Sequence, residues 1–317
     1  MLTLIDLHEG IEIPVSDSPQ TVLALGNFDG VHLGHRALLQ EAVKIAQARS
    51  TSDSPVYPGV WLFRTPPSDF LKNPPIPHIS TLQDKLDQFR AYGIRYAFLG
   101  DFEEIGAYSP EAFAKDILIK DCRCVHAICG FNYSFGHRGS GTPAQLSEYF
   151  SKNTSVIPPF SLGGSPVSST RIRALIQSGN VSDAEKLLGR PFSITAPVLH
   201  GKALGRTIDF PTLNQNFPNN HIIPKNGIYA VTVRFPWEAS GAIRYGIANV
   251  GVRPTVETSD RINCETFILD YSGDLYGRDV EISFAAYLRS EEKFDSLDAL
   301  KKAIKNDEQN ARQLFGI

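Results

Sequence analysis

The sequence predicts two folded units in series: an α/β unit with a parallel sheet, then an all-β unit, read as a small barrel, closed by a helix. Three observations point there. Over the first half of the chain, short apolar runs alternate with helical patterns, the mark of a parallel sheet covered on both faces. Over residues 192–284, strand-like segments succeed one another with turn residues between and no long helical period. The length, 317 residues, suits two cores. The boundary falls near residues 180–190, which gives expected domains of 1–184 and 185–317.

The elements follow in order. Residues 21–25 form a buried strand, 26–35 a glycine-containing turn and 36–48 a helix. A polar loop, 50–55, leads to a second strand at 60–63. Prolines at 66, 67, 74, 75 and 77 bracket a loop expected to hold neither helix nor strand. Ser80 or Thr81 caps a helix to Tyr92, with Gly93 as its stop. A third strand covers 96–99, and Ser109-Pro110-Glu111 opens the next helix. A fourth strand covers 125–129. After Ser168-Ser169-Thr170 a helix runs to about residue 178, and a shorter one, 182–188, ends at Gly189. The all-β unit then places strands at 193–199, 227–235, 244–250, 263–270 and 280–287, before an amphipathic helix at 296–314.

Composition narrows the class. Net charge is -3 with a pI near 6.2, which argues against a nucleic-acid partner. No apolar run reaches membrane-span length and the N-terminus shows no apolar signal region, so a cytoplasmic protein without membrane attachment is expected. Cys122, Cys124, Cys129 and Cys264 form no C-x-x-C pair, so they read as buried free thiols rather than a zinc site. Oligomeric state is not written in the sequence.

The turn at 26–35, Gly26-Asn27-Phe28-Asp29-Gly30-Val31-His32-Leu33-Gly34-His35, carries the first chemistry. A strand, a glycine turn and a helix N-terminus aim backbone N–H groups and the positive helix end at whatever sits above, most naturally phosphate. His32 and His35, three apart, face the same way and can donate to charge developing on a phosphate. A packed turn with two half-exposed histidines is the plainer alternative. G-x-F-D-G-V-H-x-G-H is, however, the signature of Rossmann-like nucleotidyltransferases. In this longer form it resembles the bacterial bifunctional riboflavin kinase/FMN adenylyltransferases. The resemblance assigns Gly26, Phe28, Asp29, Gly30, His32 and His35 to nucleotide binding, with the two histidines catalytic.

Two further segments fit that family. Gly130-Phe131-Asn132-Tyr133-Ser134-Phe135-Gly136-His137-Arg138-Gly139-Ser140-Gly141 reads equally well as a flexible loop on its own. Its glycines allow close backbone approach, and Arg138 can meet phosphate. The resemblance assigns Asn132 to the nucleotide. Ser168-Ser169-Thr170-Arg171-Ile172-Arg173 is similar to the family's S-S-T-x-I-R. A bare helix cap is the alternative, but beside His-x-Gly-His the hydroxyls of Ser168, Ser169 and Thr170 and the charge of Arg173 suit ATP phosphates. One departure stands out: the family's T-F-x-P-H-P is here Leu62-Phe63-Arg64-Thr65-Pro66-Pro67, with Pro66 in the histidine's place. Arg64 is long enough to substitute.

The second unit matches independently. His200-Gly201-Lys202-Ala203-Leu204-Gly205-Arg206-Thr207-Ile208-Asp209-Phe210-Pro211-Thr212-Leu213-Asn214 resembles the riboflavin-kinase segment H-G-x-x-x-G-R-T-x-G-F-P-T-A-N, with Asp209 in place of a glycine. The resemblance places Gly201, Lys202, Gly205, Arg206, Thr212 and Asn214 at the nucleotide. Thr212 and Asn214 offer hard oxygens suited to Mg2+ or another divalent cation. It makes Glu265, in Asn263-Cys264-Glu265-Thr266-Phe267, the general base. It makes Arg289, Glu291 and Phe294, in Leu288-Arg289-Ser290-Glu291-Glu292-Lys293-Phe294, flavin-binding. No G-x-x-x-x-G-K-[ST] is present, so a P-loop kinase is not expected.

The resemblance implies a Rossmann-like nucleotidyltransferase domain followed by a riboflavin-kinase-like barrel with a C-terminal helix. The implied reactions are riboflavin plus ATP to FMN, then FMN plus ATP to FAD and pyrophosphate. ATP, riboflavin and FMN are the small-molecule partners. Two alternatives are a riboflavin kinase with a degraded adenylyltransferase domain and a flavin-binding regulator without turnover. Retention of His32, His35, Thr212, Asn214 and Glu265 together argues against the second.

Overall fold

The computed structural model describes residues 1–7, 19–200, 210–252 and 262–317. The apolar runs of the first half build a six-stranded, all-parallel sheet in the order β1 (Thr3–Asp6), β4 (Tyr96–Gly100), β3 (Val56–Phe63), β2 (Gln20–Leu25), β5 (Cys124–Gly130), β6 (Thr154–Ile157). Alternation explains its burial. Val22, Ala24, Val60 and Leu62 face α1 (Leu33–Arg49) and α3 (Leu82–Ala91) in one core. Leu23, Leu25, Trp61 and Cys129 face the opposite core, with Phe113 and Leu118. A sheet covered on both faces therefore reads as continuous apolar runs. Strand order reverses between β2 and β5, so their carboxyl ends flank the crevice where such folds bind ligands.

The helices obey their caps. Thr81 and Asp84 form a reciprocal capping box on α3. Ser109 caps α5, Pro110–Ala112, which widens over Phe113–Asp121 into π-type turns, with Cys122 N–H donating to Ile117 O at 2.9 Å. A short α2, Pro67–Leu71, stands where the prolines led us to expect a plain loop. Pro67 sits in the first turn, where a missing N–H is harmless. The unit is completed by α4 (Phe102–Ile105), α6 (Pro143–Tyr149) and a two-stranded hairpin, β7 (Ser161–Leu162) with β8 (Ser165–Pro166).

Chain contacts divide the protein into Met1–Ser169 and Thr170–Ile317, earlier than the expected 184/185. Helices α7 (Ser169–Gln177) and α8 (Val181–Leu188) account for the difference. Lys225 N–H donates to Ile176 O at 3.3 Å, and α8 packs on β9 (Phe192–Pro197) and β14 (Asp279–Arg289). Gly189 ends α8 in the left-handed conformation, φ +70°, as the sequence suggested.

The second sheet is antiparallel throughout. Its order is β10 (Thr212–Asn216), β13 (Ile262–Ile268), β12 (Ile243–Val252), β11 (Gly227–Arg234), β14, β9. The two edge strands are drawn together by a side chain. Buried Gln215 on β10 donates to Ala196 O on β9 and Val280 O on β14, and Leu199 N–H reaches Asn214 O at 2.8 Å. Phe192, Tyr229 and Phe284 fill the interior. The final helix, α9 (Leu297–Phe315), lies on the sheet's other face, with Ala311 against Ala230 and Ile247.

Candidate active sites

The turn after β2 is strained and tightly held. Gly30 has φ +79°, and the non-glycine residues Phe28 and Val31 also take left-handed values, +50° and +40°. For a β-branched residue that is a genuine outlier, costing about 1–3 kcal/mol. Both side chains are fully buried, and Val31 N–H closes the turn on Phe28 O at 3.0 Å. Asp29 directs its carboxylate to backbone: Oδ1 accepts from Ile79 N–H (2.9 Å) and Ser80 N–H (3.3 Å). Ser80 Oγ in turn accepts from Gly30 N–H at 2.9 Å. Asp29 is thus a positioning group for the turn.

His32 caps α1, its Nδ1 accepting from His35 N–H at 3.3 Å. The two imidazoles stack with centroids 3.7 Å apart and planes 13° off parallel. Phe28 packs against His35. Burial, then the charges of His32 and Lys85, hold His35 well below the ordinary imidazole range, so it is neutral at pH 7. Its Nδ1 has no hydrogen-bond partner among the described residues. Lys85 is a residue the sequence reading missed. It is buried on α3, and its Nζ donates to Asn27 O at 2.9 Å. The available signal was a lysine on a helix face shared with Leu86 and Phe89.

The loop of Asn132 and Arg138 follows β5, the strand beside β2, so it opens at the same crevice. Both side chains are exposed, and Arg138 is held at φ +55°. Ser169 Oγ donates to Asp29 O at 2.9 Å, which ties the Ser168-Ser169 segment to the His-x-Gly-His turn. Thr170 is exposed and Arg173 half-buried on α7, in the second unit. Arg64 pairs with the Asp6 carboxylate at the end of β1, and Pro66 precedes α2. The Arg64 guanidinium thus has a carboxylate partner and stays partly exposed.

In the second unit a cavity of about 300 Å³ gathers Thr212, Glu265, Arg289, Glu291 and Phe294. Register explains the convergence. Thr212 and Asn214 are two apart on β10 and share a face, and Glu265 lies directly opposite Asn214. On its other side Glu265 faces Asn249 of β12. Asn249 also lines the cavity and donates to Glu291 Oε1 at 3.2 Å. Glu291 folds over Gly251, where a Cβ would collide with its carboxylate. Arg289 grips the buried Asp307 of α9 from Nε and Nη2, and its cation sits 5.7 Å from the Phe294 ring. That hold draws its pKa up and anchors the helix that roofs the cavity. Gly201, Lys202, Gly205 and Arg206 lie outside the described residues.

A Rossmann-like sheet with an imidazole pair at its switch point, and a separate barrel with a carboxylate-lined cavity, define a two-module transferase of phosphorus-containing groups. Comparison with known proteins makes the class specific. Residues 15–171 match the family model described as FAD synthetase, and residues 188–315 the one described as riboflavin kinase. The chain is 32% identical to the bifunctional riboflavin kinase/FMN adenylyltransferase of Listeria monocytogenes, covering 98% of this chain and 97% of that one. It is 37% identical to that of Escherichia coli K12, covering 96% of each, and 31% identical to that of Bacillus subtilis, covering 94% of each. This chain belongs to the bifunctional riboflavin kinase/FMN adenylyltransferase family. A solved structure from Streptococcus pneumoniae, described as a macrolide-efflux protein, superposes with a TM-score of 0.84 at 30% identity over 98% of both chains. Among the described residues of the present protein, no helix is long and apolar enough to cross a membrane.

Proposed function

We propose that the barrel phosphorylates riboflavin with ATP, giving FMN and ADP, and that the α/β unit joins FMN to AMP from a second ATP, giving FAD and pyrophosphate. The observation that carries the first half is the convergence of Thr212, Asn214 and Glu265 on one sheet face beside the cavity. Riboflavin enters with its ribityl 5′-hydroxyl toward Glu265, which accepts the proton as the oxygen attacks the γ-phosphorus. Arg289 shapes the flavin end mainly by holding α9, and Phe294 and Glu291 line it. Gly201, Lys202, Gly205 and Arg206 are assigned to the ATP phosphates by the family motif. The hydroxyl of Thr212 and the amide oxygen of Asn214 are a hard-oxygen pair that suits Mg2+. When bound there, the ion would neutralise charge on the ATP phosphates.

For the second half, FMN phosphate oxygen attacks the α-phosphorus and pyrophosphate leaves. His32 and neutral His35 offer N–H donors to the charge that grows on the phosphate oxygens, without a covalent intermediate. Gly26, Phe28 and Gly30 shape the turn, Asp29 braces it, and Asn132, Arg138, Ser168 and Ser169 line the nucleotide. Thr170 and Arg173 receive the same role on the family motif. No nucleic acid takes part, and we assign the enzyme to the cytoplasm, where ATP is available.

Glu265→Gln tests the assignment. It should lower FMN formation from riboflavin by about 10²–10⁴-fold and leave conversion of FMN to FAD near the wild-type rate. FMN production at the wild-type rate would refute the base.

A further inference from the structure

We infer that Asn263 is a positioning residue for phosphoryl transfer, setting the general base and the metal-facing amide in a fixed relation through one amide nitrogen. The inference rests on the roles proposed for Glu265 and Asn214. Asn263 lies on β13, two residues before Glu265 and on the same face. Its Nδ2 donates to Glu265 Oε1 at 3.2 Å and to Asn214 Oδ1 at 3.4 Å. An amide nitrogen carries two hydrogens, so both bonds can form at once. The orientation is dictated by the acceptors. Turned over, the amide would set its oxygen against the Glu265 carboxylate oxygen. Asn263 is buried at 6% exposure with its amide nitrogen turned to those two oxygens, so it acts through its two neighbours and not on substrate.

The consequence is a sorting of lone pairs. Asn214 Oδ1 spends one on Asn263 and keeps the other, and Glu265 spends Oε1 and keeps Oε2. Free to rotate, the two side chains would sample many arrangements; bridged, they hold the spacing the reaction needs.

The test uses the full-length protein with Asn263→Ala and the isosteric Asn263→Asp, which fills the same space without an N–H. Melting temperature and riboflavin binding, followed by quenching of flavin fluorescence, report the fold. Both variants should bind riboflavin with wild-type affinity while kcat for FMN formation falls roughly tenfold to a hundredfold. Mn2+ binding in the presence of ADP, read by electron paramagnetic resonance, should weaken in Asn263→Ala. In a Glu265→Gln background, adding Asn263→Ala should cost less than it does in the wild type, because the share that acts through the base is already gone and only the share that acts through Asn214 is left. Wild-type kcat in either variant, lost riboflavin binding, or a full additional loss in the Glu265→Gln background would overturn the inference. Wild-type kcat in Glu265→Gln alone would remove the base beneath it, and is read before Asn263 is touched.

Discussion

His35 shows how much a single residue carries in the first unit. It stacks on His32, touches Phe28 and is kept neutral by burial beside Lys85. Replacing it by alanine should lower FAD formation by on the order of 10²–10³-fold and spare FMN formation, measured separately from FMN and from riboflavin. Titration of the folded protein follows from the same environment. His35 and His126 both have folded values below the unfolded imidazole, chiefly through burial, with Arg49 adding for His126. The unfolded chain therefore binds the proton more readily. The stability these groups contribute is present above about pH 6.5 and is lost as pH falls through the lowered folded values. The urea midpoint of the protein should drop on acidification from pH 7 toward pH 5, and His35→Asn should flatten that drop. A midpoint independent of pH over this range would contradict the burial argument. The two histidines were legible in the sequence because their three-residue spacing and helix start carry their own geometry. Lys85 and Asn263 were not, because each acts across a distance set by tertiary register: Lys85 reaches back 58 positions to Asn27, and Asn263 reaches 49 to Asn214.

Among elements, α9 has a role that its own sequence does not show. The sequence presents it as a polar amphipathic tail, and Arg289 as a flavin ligand. In the structure Arg289 spends Nε and Nη2 on Asp307, whose side chain is only 4% exposed, and so joins β14 to α9 over the cavity. Arg289→Ala leaves a buried carboxylate without that partner, which should destabilise the barrel unit by about 3–5 kcal/mol in chemical denaturation. Arg289→Ala together with Asp307→Leu should recover much of the loss. If the single variant unfolds like wild type, the tie is dispensable. Buried strands such as β2, β3 and β5 were readable from their apolar runs. Strands β1 and β6 were not, since each is four residues long at a sheet edge, with mixed burial. Strand β10 was hidden because its pattern Thr-Leu-Asn-Gln-Asn buries Asn214 and Gln215, polar residues whose side-chain hydrogen bonds run to neighbouring strands.

At the scale of the whole molecule, two compact units match two different family models, and, Thr170 and Arg173 apart, each unit gathers its own candidate machinery. The division at 169/170 gives α8 to the barrel, where Val181, Ala184, Leu187 and Leu188 are buried. A fragment of residues 170–317 should accordingly be soluble and phosphorylate riboflavin, whereas one beginning at 185 discards buried side chains and should melt lower. Equal melting temperatures would show that α7 and α8 add nothing to the barrel. The departure at Pro66 bears on the first unit alone, where Arg64, two residues earlier, is paired with Asp6. The most direct test of the two-step account is to incubate the purified protein with riboflavin, ATP and Mg2+ and resolve riboflavin, FMN and FAD by chromatography over time. FMN should rise first and FAD follow, with one pyrophosphate released per FAD. FMN without FAD, persisting when FMN and ATP are supplied directly with each of several divalent metals, would contradict the account.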